Sequence, residues 1–450
     1  MRIKQISITK LFGIFDHVIP LNLDERITII HGINGVGKTS ILRLINGLFN
    51  GQYSELLIIP FQEIKIDFDF NTSICLKQNA KTFSNSITDE LGFKSIIREV
   101  VYKIEENNEN SEWLYLDNLI IQSDIKNSNY TLLKLDDLRK ITENADSDFV
   151  GTLSLNKIQS LELIKLVELK EKELKKIGKS KLEIIQKSIF LYFIECQRLI
   201  NNKSNTLTDN IVIHYAFDLT NKIQTQNTEY GKLSQSLDRT FPIRVIQKKA
   251  SNDLTEKQLR QKLVYLETKR HQLINVGLLE KTEDSNFPIT DNLDESTRKL
   301  LSLYVEDTEK KLNVFSDFAY RLEVFQRIIN QRFTHKTLVI DQDKGFILKT
   351  SQDEVLSPTD LSSGEQHELV MLYELLFKVK PGSLIFIDEP EISLHVGWQV
   401  KFLEDLQEIV KLADIDILLA THSPDIINGR WDLTIELKGL SNERVHSTKS

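Results

Sequence analysis

The residues best suited to chemistry lie in two stretches 350 positions apart, counted from Lys38 to Asp388. In the first, Gly32-Ile33-Asn34-Gly35-Val36-Gly37-Lys38-Thr39-Ser40 follows the apolar run Ile27-Thr28-Ile29-Ile30, with His31 at its end, and precedes the helical pattern Ile41, Leu42, Leu44, Ile45, Leu48. This is a phosphate-binding loop in the strand–loop–helix setting that it requires. Its glycines let backbone N–H groups approach phosphates, Lys38 can reach the β and γ oxygens, and Thr39 can offer its hydroxyl to Mg²⁺. In the second stretch, Ser383-Leu384-Ile385-Phe386-Ile387 reads as a strand buried on both faces of a parallel sheet. It delivers Asp388 and Glu389 to its carboxyl end, where ligands of open α/β sheets bind. Asp388 can hold Mg²⁺ directly or through its water, and Glu389 is placed to polarise a water molecule. An ordinary strand ending in a charged turn would have the same composition.

Just before the acidic strand, Leu361-Ser362-Ser363-Gly364-Glu365-Gln366 reads as a helix start with Ser362 or Ser363 as N-cap. Counted from Ser362, Glu365 occupies the acid position of a capping box. Such a helix end carries unpaired N–H groups and partial positive charge, which suit an anion. Two further strand ends carry polar side chains. The run Ile189–Ile194 ends near Gln197, a candidate Mg²⁺ or water ligand, and the strand Ile415–Ala420 ends at Thr421-His422-Ser423, where an imidazole can touch a γ-phosphate.

The elements that must position these residues follow from the rest of the pattern. Alternation over the first twenty residues predicts a β-hairpin with its turn at Gly13, and the runs from Ile64 to Asn118 predict an antiparallel sheet with one wet face. Residues 153–181 turn helical, and the lysines at 165, 170, 172, 175, 176, 179 and 181 could form a phosphate-binding patch, although interleaved glutamates favour a solvated helix. From about Thr208 to Phe333 the chain is helical, with one heptad-like seam at Leu259, Leu263, Leu266, Leu273 and another from Leu301 through Phe315 to Ile329. Two such helices joined by a loop predict an antiparallel hairpin, with Phe241-Pro242 breaking the helix before it. A hairpin at 335–349, a helix through Phe402 and Ile409, and a strand at 433–437 complete the reading.

Composition sets the bounds. The chain has 450 residues, 57 basic against 65 acidic, for a net charge of −8, so any DNA contact needs a local patch. Cys75 and Cys196 are its only cysteines and lack metal-ligand spacing, which fits a reducing compartment. The start MRIKQISITKLF is strand-like rather than a leader, and no apolar run approaches spanning length, so a soluble, cytoplasmic protein without membrane contact is expected.

Taken in order, GINGVGKTS, LSSGEQ, LIFIDEPE, SLH and ATHS resemble the P-loop, signature, acidic-strand, D-loop and H-switch motifs of ABC-class ATPases. The wide separation of the two halves resembles the SMC, RecF and OLD branch, and DEPEISLH, with its extra Glu391, is similar to OLD-type heads and to the ATPase subunits of Septu-type anti-phage systems. The resemblance covers about 1–200 and 335–440, and the arm matches only in kind.

It implies an α/β fold: a split ABC-type P-loop head of mixed and antiparallel sheets with helices, carrying an inserted antiparallel helical hairpin arm. The expected division is 1–205 and 335–450 for the head and 206–334 for the arm. It further implies ATP and Mg²⁺ as cofactors and an ATP-sandwich homodimer. In that dimer Gly32, Asn34, Gly35, Gly37, Lys38, Thr39 and Ser40 of one copy hold the nucleotide, and Ser362, Gly364 and Glu365 of the other close it. Gln197 would be the Q-loop residue, Asp388 the Mg²⁺ aspartate beside Thr39, Glu389 the general base and His422 the γ-phosphate sensor. One departure is Ser363, where the signature usually has Gly. No nuclease signature is seen after His422, which points to a separate effector such as an HNH-type nuclease. The alternatives are a clamp that binds DNA directly in repair or recombination, and an ATP-bound scaffold with little turnover.

Overall fold

Strands that are apolar at nearly every position are satisfied only when both faces are covered, and here they belong to the first of the chain's two compact units. The computed structural model describes residues 1–83, 95–106, 112–116, 119–124, 129–134, 180–194, 211–247, 254–280, 293–357 and 360–439. Two compact units divide the chain. The first comprises Met1–Cys196, Val379–Ile392 and Gln399–Ser450, and the second Gln197–Lys378 with Ser393–Trp398.

In the first unit the chain opens with the expected hairpin, β1 (Ile3–Leu11) and β2 (Phe15–Pro20), with Gly13 at φ 80° in its turn. Strand β3 (Ile27–His31) leads into helix α1 (Lys38–Phe49) and the short α2 (Ser54–Ile58). Strands β4 (Glu63–Phe68), β5 (Thr72–Phe83), β6 (Ser95–Glu106), β7 (Leu114–Tyr115), β8 (Leu119–Asp124) and β9 (Asn129–Lys134) follow. They form an eight-stranded sheet in the order β2-β1-β4-β5-β6-β8-β9, with β7 on β6. Strand β8 pairs with β6 and β9 with β8, so the last strand, whose sequence is largely polar, is defined by pairing rather than by apolar alternation. Of the helical stretch expected at 153–181, only its end is among the described residues, as α3 (Ser180–Ser188).

Strand β10 (Leu191–Ile194) begins the second sheet of this unit. With β14 (Leu384–Asp388), β15 (Asp416–Ala420), β3 and β16 (Thr434–Glu436) it forms a five-stranded sheet in the order β10-β14-β15-β3-β16. Every pairing in it is parallel, and every pairing in the eight-stranded sheet is antiparallel, so strand directions differ between the described sheets rather than within one. Ile27, Ile29, Ile30, Ile385, Phe386, Ile387, Ile417 and Leu418 are at most 1% exposed, as two-faced burial requires.

The second unit holds α4 (Ile211–Gln247), α5 (Glu256–Asn275), α6 (Glu295–Asn313), α7 (Ser316–Arg332) and α8 (Ser363–Tyr373), the last continuing into a π-helical turn at Glu374–Lys378. A three-stranded antiparallel sheet, β11 (Lys336–Asp341), β12 (Gly345–Thr350) and β13 (Val355–Leu356), includes the expected hairpin. Later in the chain, helices α9 (Val396–Ala413) and α10 (Pro424–Ile427) flank β15 in sequence.

Three expectations for the helices of the second unit need correction. Pro242 lies inside α4 instead of ending it. Thr240 and Arg244 donate side-chain hydrogen bonds to the Leu237 carbonyl at 3.2 and 2.8 Å, and Arg244 is paired with Asp307 of α6, which holds the last turn in place. The seam from Leu301 to Ile329 is two helices, divided at the fully buried Phe315. The antiparallel partner of α6 is α4, through Arg244–Asp307 and Lys311–Asp238. Helix α5 runs alongside α6 in the same direction, as Lys262–Glu309 and Lys269–Asn313 show. The loop expected between them, 281–292, lies outside the described residues.

Candidate active site

Parallel strands place their carboxyl ends on one edge of the sheet, and three of those ends in the first unit carry the residues singled out by type. Strand β3 ends in the phosphate-type loop. Gly37, at φ 98°, is the N-cap of α1, and a Cβ there would collide with the Leu11 side chain. Gly32 is equally constrained, since a Cβ would lie 2.6 Å from the Leu437 carbonyl oxygen. Only glycine fits these positions.

The Lys38 side chain is buried, and its Nζ donates to the Gly32 and Ile33 carbonyls at 3.2 and 3.4 Å. It also lies 2.5 Å from Nε2 of His422, at the end of β15. An ammonium can only donate, so Nε2 accepts in this contact. Burial lowers the Lys38 pKa, an effect opposed by the carboxylates of Glu389, Asp388 and Glu391.

Strand β14 delivers the acidic pair. Asp388 accepts a hydrogen bond from the Thr39 side chain, and burial raises its pKa, with the charge of Glu389 adding to the rise and Thr39 opposing it. Glu389 adopts φ 47°, a left-handed conformation that costs a non-glycine residue about 1–3 kcal/mol. Its N–H is held by the Ala420 carbonyl at 2.9 Å, and its Oε1 lies 3.6 Å from His422 Nε2. Strain of this kind, held in place by the neighbouring strand, aims a side chain at a site.

Asn34, Gly35, Gly37, Lys38, Thr39, Ser40, Glu389, Glu391 and His422 line one cavity of about 650 Å³, together with Phe12 and Ile392. Its volume is that of an ordinary small-ligand site. Among the described residues no cluster of three His, Cys, Asp or Glu side chains could hold a metal by itself. The hydroxyl of Thr39 beside the carboxylate of Asp388 is nevertheless a hard-oxygen pair of the kind Mg²⁺ uses when phosphates and water supply the remaining ligands.

The signature-type residues lie in the second unit. Ser362 is the N-cap of α8: its Oγ accepts from the Glu365 N–H at 3.3 Å, and Glu365 accepts from the Ser362 N–H at 2.8 Å. Lys336 pairs with Glu365 at 2.8 Å. Burial alone would raise the Glu365 pKa, but the bonds from Lys336 and Ser362 bring it below the ordinary value. A Cβ on Gly364 would lie 2.9 Å from the Ser393 carbonyl oxygen. Ser362 and Ser363 are exposed. Gln197 and the lysines at 165–179 lie outside the described residues, whereas Lys181 pairs with Glu106 at 3.1 Å.

Sequence reasoning assigned no role to three residues that the structure brings to this region. Phe12 follows from the hairpin turn, where it takes φ 55° and lines the cavity. Glu391 stood out only as an additional acid, and Gln399 carried no signal, because its partners are distant in sequence.

A family model described as "AAA domain, putative AbiEii toxin, Type IV TA system" matches residues 27–428. The chain belongs to this AAA family. The matched span runs from β3 past His422, so it includes every strand end that lines the cavity. This AAA chain is also 30% identical to the Septu protein PtuA of Bacillus thuringiensis over 162 residues, 35% of the chain and 36% of that protein. It thus aligns with about a third of that relative's length. Among solved structures, similarity extends to an Smc head domain with an extended coiled coil from Pyrococcus furiosus, at TM-score 0.34 and 11% identity over 97% of this chain and 94% of that one. The SMC head domain of Thermotoga maritima aligns at TM-score 0.31 and 11% identity, over 95% and 91%. Among the described residues, no helix of this AAA protein is long and apolar enough to cross a membrane.

Proposed function

We propose that this AAA protein binds and hydrolyses ATP in the cavity at the carboxyl edge of its parallel sheet, and that hydrolysis is coupled to pairing of two copies. The observation that carries the reading is the convergence of Lys38, Glu389 and His422 from three strand ends onto one cavity, with contacts of 2.5 and 3.6 Å. Backbone N–H groups of Gly35, Gly37 and the start of α1, with Asn34 and Ser40 beside them, receive the phosphates, and the Gly32 turn allows the close approach. As a triphosphate enters, the Lys38 donors pass from the Gly32 and Ile33 carbonyls to its β and γ oxygens. Thr39 and Asp388 would hold Mg²⁺; when bound, the ion neutralises phosphate charge. Glu389 takes a proton from the attacking water, and His422 donates to the γ-phosphate.

In the paired state, Ser362, Gly364 and Glu365 of one copy close over the nucleotide held by the other. Residues 1–205 and 335–450 act as the head, and 206–334 as the arm. We place this ATPase in anti-phage defence in the cytoplasm, its cycle controlling a separate DNA-acting nuclease, HNH-type by our reading; what supports the defence role is the similarity to a Septu protein over about a third of that protein's length.

Phosphate release and light scattering with MgATP test the proposal. Glu389→Gln is expected to stop turnover and accumulate a dimer. A monomer hydrolysing ATP at undiminished rate on extreme dilution would overturn the pairing. Unchanged turnover in Glu389→Gln would overturn the assignment of the base. Addition of a nuclease from the neighbouring reading frame should yield DNA cleavage that follows the nucleotide state, and nucleotide-independent cleavage would refute the control.

A further inference from the structure

The acidic turn after β14 and the segment after β15 each carry one reacting group, Glu389 and His422. The strands register them only as far as Ala420, which pairs with Asp388 and accepts the Glu389 N–H, so that beyond this point the turn and the segment must be tied together by other means. Two connections outside the strands do so. Glu391 accepts the His422 backbone N–H on Oε1 at 2.6 Å. The Glu391 carbonyl accepts from Gln399 Nε2 at 3.3 Å, and Gln399 Oε1 accepts from the Ser423 hydroxyl at 2.7 Å. Ser423 is itself the N-cap of α10, accepting from the Ile426 N–H at 3.4 Å, and its own N–H donates to the Thr421 hydroxyl at 3.0 Å. Gln399 is 8% exposed, so water competes weakly for these bonds.

We infer that Glu391 and Gln399 are positioning residues that lock the Glu389 turn to the His422 segment, so that base and sensor reach the nucleotide in one fixed geometry. The inference rests on the proposed roles of Glu389 and His422. A charge-assisted bond to a backbone N–H, two residues beyond a strained Glu389, holds the imidazole without engaging its ring nitrogens, which leaves these for Lys38 and the substrate. The second Glu391 oxygen, Oε2, is buried and has no hydrogen-bond partner. A chemical role for that oxygen is the competing account, and an amide discriminates between them, because it keeps an acceptor for His422 while removing the charge.

Steady-state ATPase kinetics with MgATP, alongside thermal melting of each variant, provide the test. Glu391→Ala should lower kcat about 100-fold, the effect of a displacement near 1 Å, with KM for ATP kept within about threefold. Glu391→Gln should recover turnover to within about fivefold of the parent, since an uncharged acceptor replaces a charged one. Gln399→Ala breaks the second connection independently and should lower kcat about tenfold at unchanged KM, which keeps the inference testable if Glu391→Ala does not fold. Glu391→Gln as inactive as Glu391→Ala would overturn the positioning role in favour of the charge. Undiminished kcat in both alanine variants, with Glu389→Gln and His422→Ala inactive, would overturn the inference and leave the site assignment standing. Full turnover in Glu389→Gln and His422→Ala would instead remove the assignment on which the inference rests.

Discussion

The two edges of the parallel sheet, at the amino and carboxyl ends of its strands, use charged side chains in opposite ways. At the amino end, Asp416 is 7% exposed and accepts from Arg2 at 2.6 and 2.8 Å and from Arg26 at 2.9 Å. Arg26 also pairs with Asp414. Burial works against the Arg26 charge, and its hydrogen bonds to Asp416 and Asp414 more than reverse that, so its pKa is raised. At the carboxyl end, Asp388, Glu389 and Glu391 gather around Lys38, and burial pushes Lys38 down and Asp388 up. The amino end settles its charges within the chain and so supports the fold. The carboxyl end keeps charges in disfavoured states, which is useful only where a ligand of matching charge completes them.

The comparison breaks or sharpens with four substitutions, taken from the largest expected effect to the smallest. Glu389→Gln should cut ATP turnover about 10²–10⁴-fold with little change in melting temperature, as phosphate release and calorimetry would show. A large loss of stability in its place would make the carboxyl end structural. Asp416→Ala should destabilise by about 2–3 kcal/mol in denaturant titration, below the full value for a buried pair because the Arg2 and Arg26 side chains keep 32% and 21% exposure. Nucleotide affinity of the folded fraction should stay unchanged.

Asp388→Asn should do the reverse, lowering turnover while raising nucleotide-free stability by up to about 1 kcal/mol. The sign follows from the raised pKa. The folded state binds this proton more tightly than the unfolded state, so the stability it contributes is full below the ordinary value of 3.8 and is lost as pH rises through the folded value. Asparagine removes that dependence. An unaltered stability–pH curve would show that Asp388 carries no such penalty.

The smallest effect concerns His17, which is 4% exposed and bonds the Val36 carbonyl of the phosphate-type loop through Nε2 at 3.0 Å. Burial lowers its pKa, so the unfolded chain takes up a proton first and stability falls as pH drops below the ordinary value of 6.5. His17→Gln should flatten that slope in urea titrations between pH 7 and pH 5, with a change of about 1 kcal/mol or less.

Much of this was legible wherever a residue's neighbours in sequence are also its physical partners. The phosphate-type loop needs only glycines and a lysine at fixed spacing between a strand and a helix, and the Ser362–Glu365 capping box closes within four residues. Nearly continuous apolar runs identified β3, β14 and β15 because burial on both faces leaves few polar positions, Thr28 within β3 and Asp416 at the start of β15 being buried exceptions. Legibility failed where long-range partners override local preference. Pro242 is a helix breaker by composition, yet α4 continues because Arg244 is anchored on Asp307. Heptad spacing identified seams on α5 and α6 but carries no direction, and the ion pairs decide that α4 is the antiparallel neighbour of α6.

By itself, then, the order of residue types determined that this chain has a phosphate-type loop, an acidic strand end and a serine-capped helix, since each is a local pattern of backbone freedom and burial. Only the tertiary structure decided that Lys38 and Asp388, 350 positions apart in sequence, meet at one sheet edge, and that Glu391 and Gln399 join two of its turns. The reason is physical: parallel strands converge at their carboxyl ends through pairings between distant segments, and no local preference encodes which segments meet.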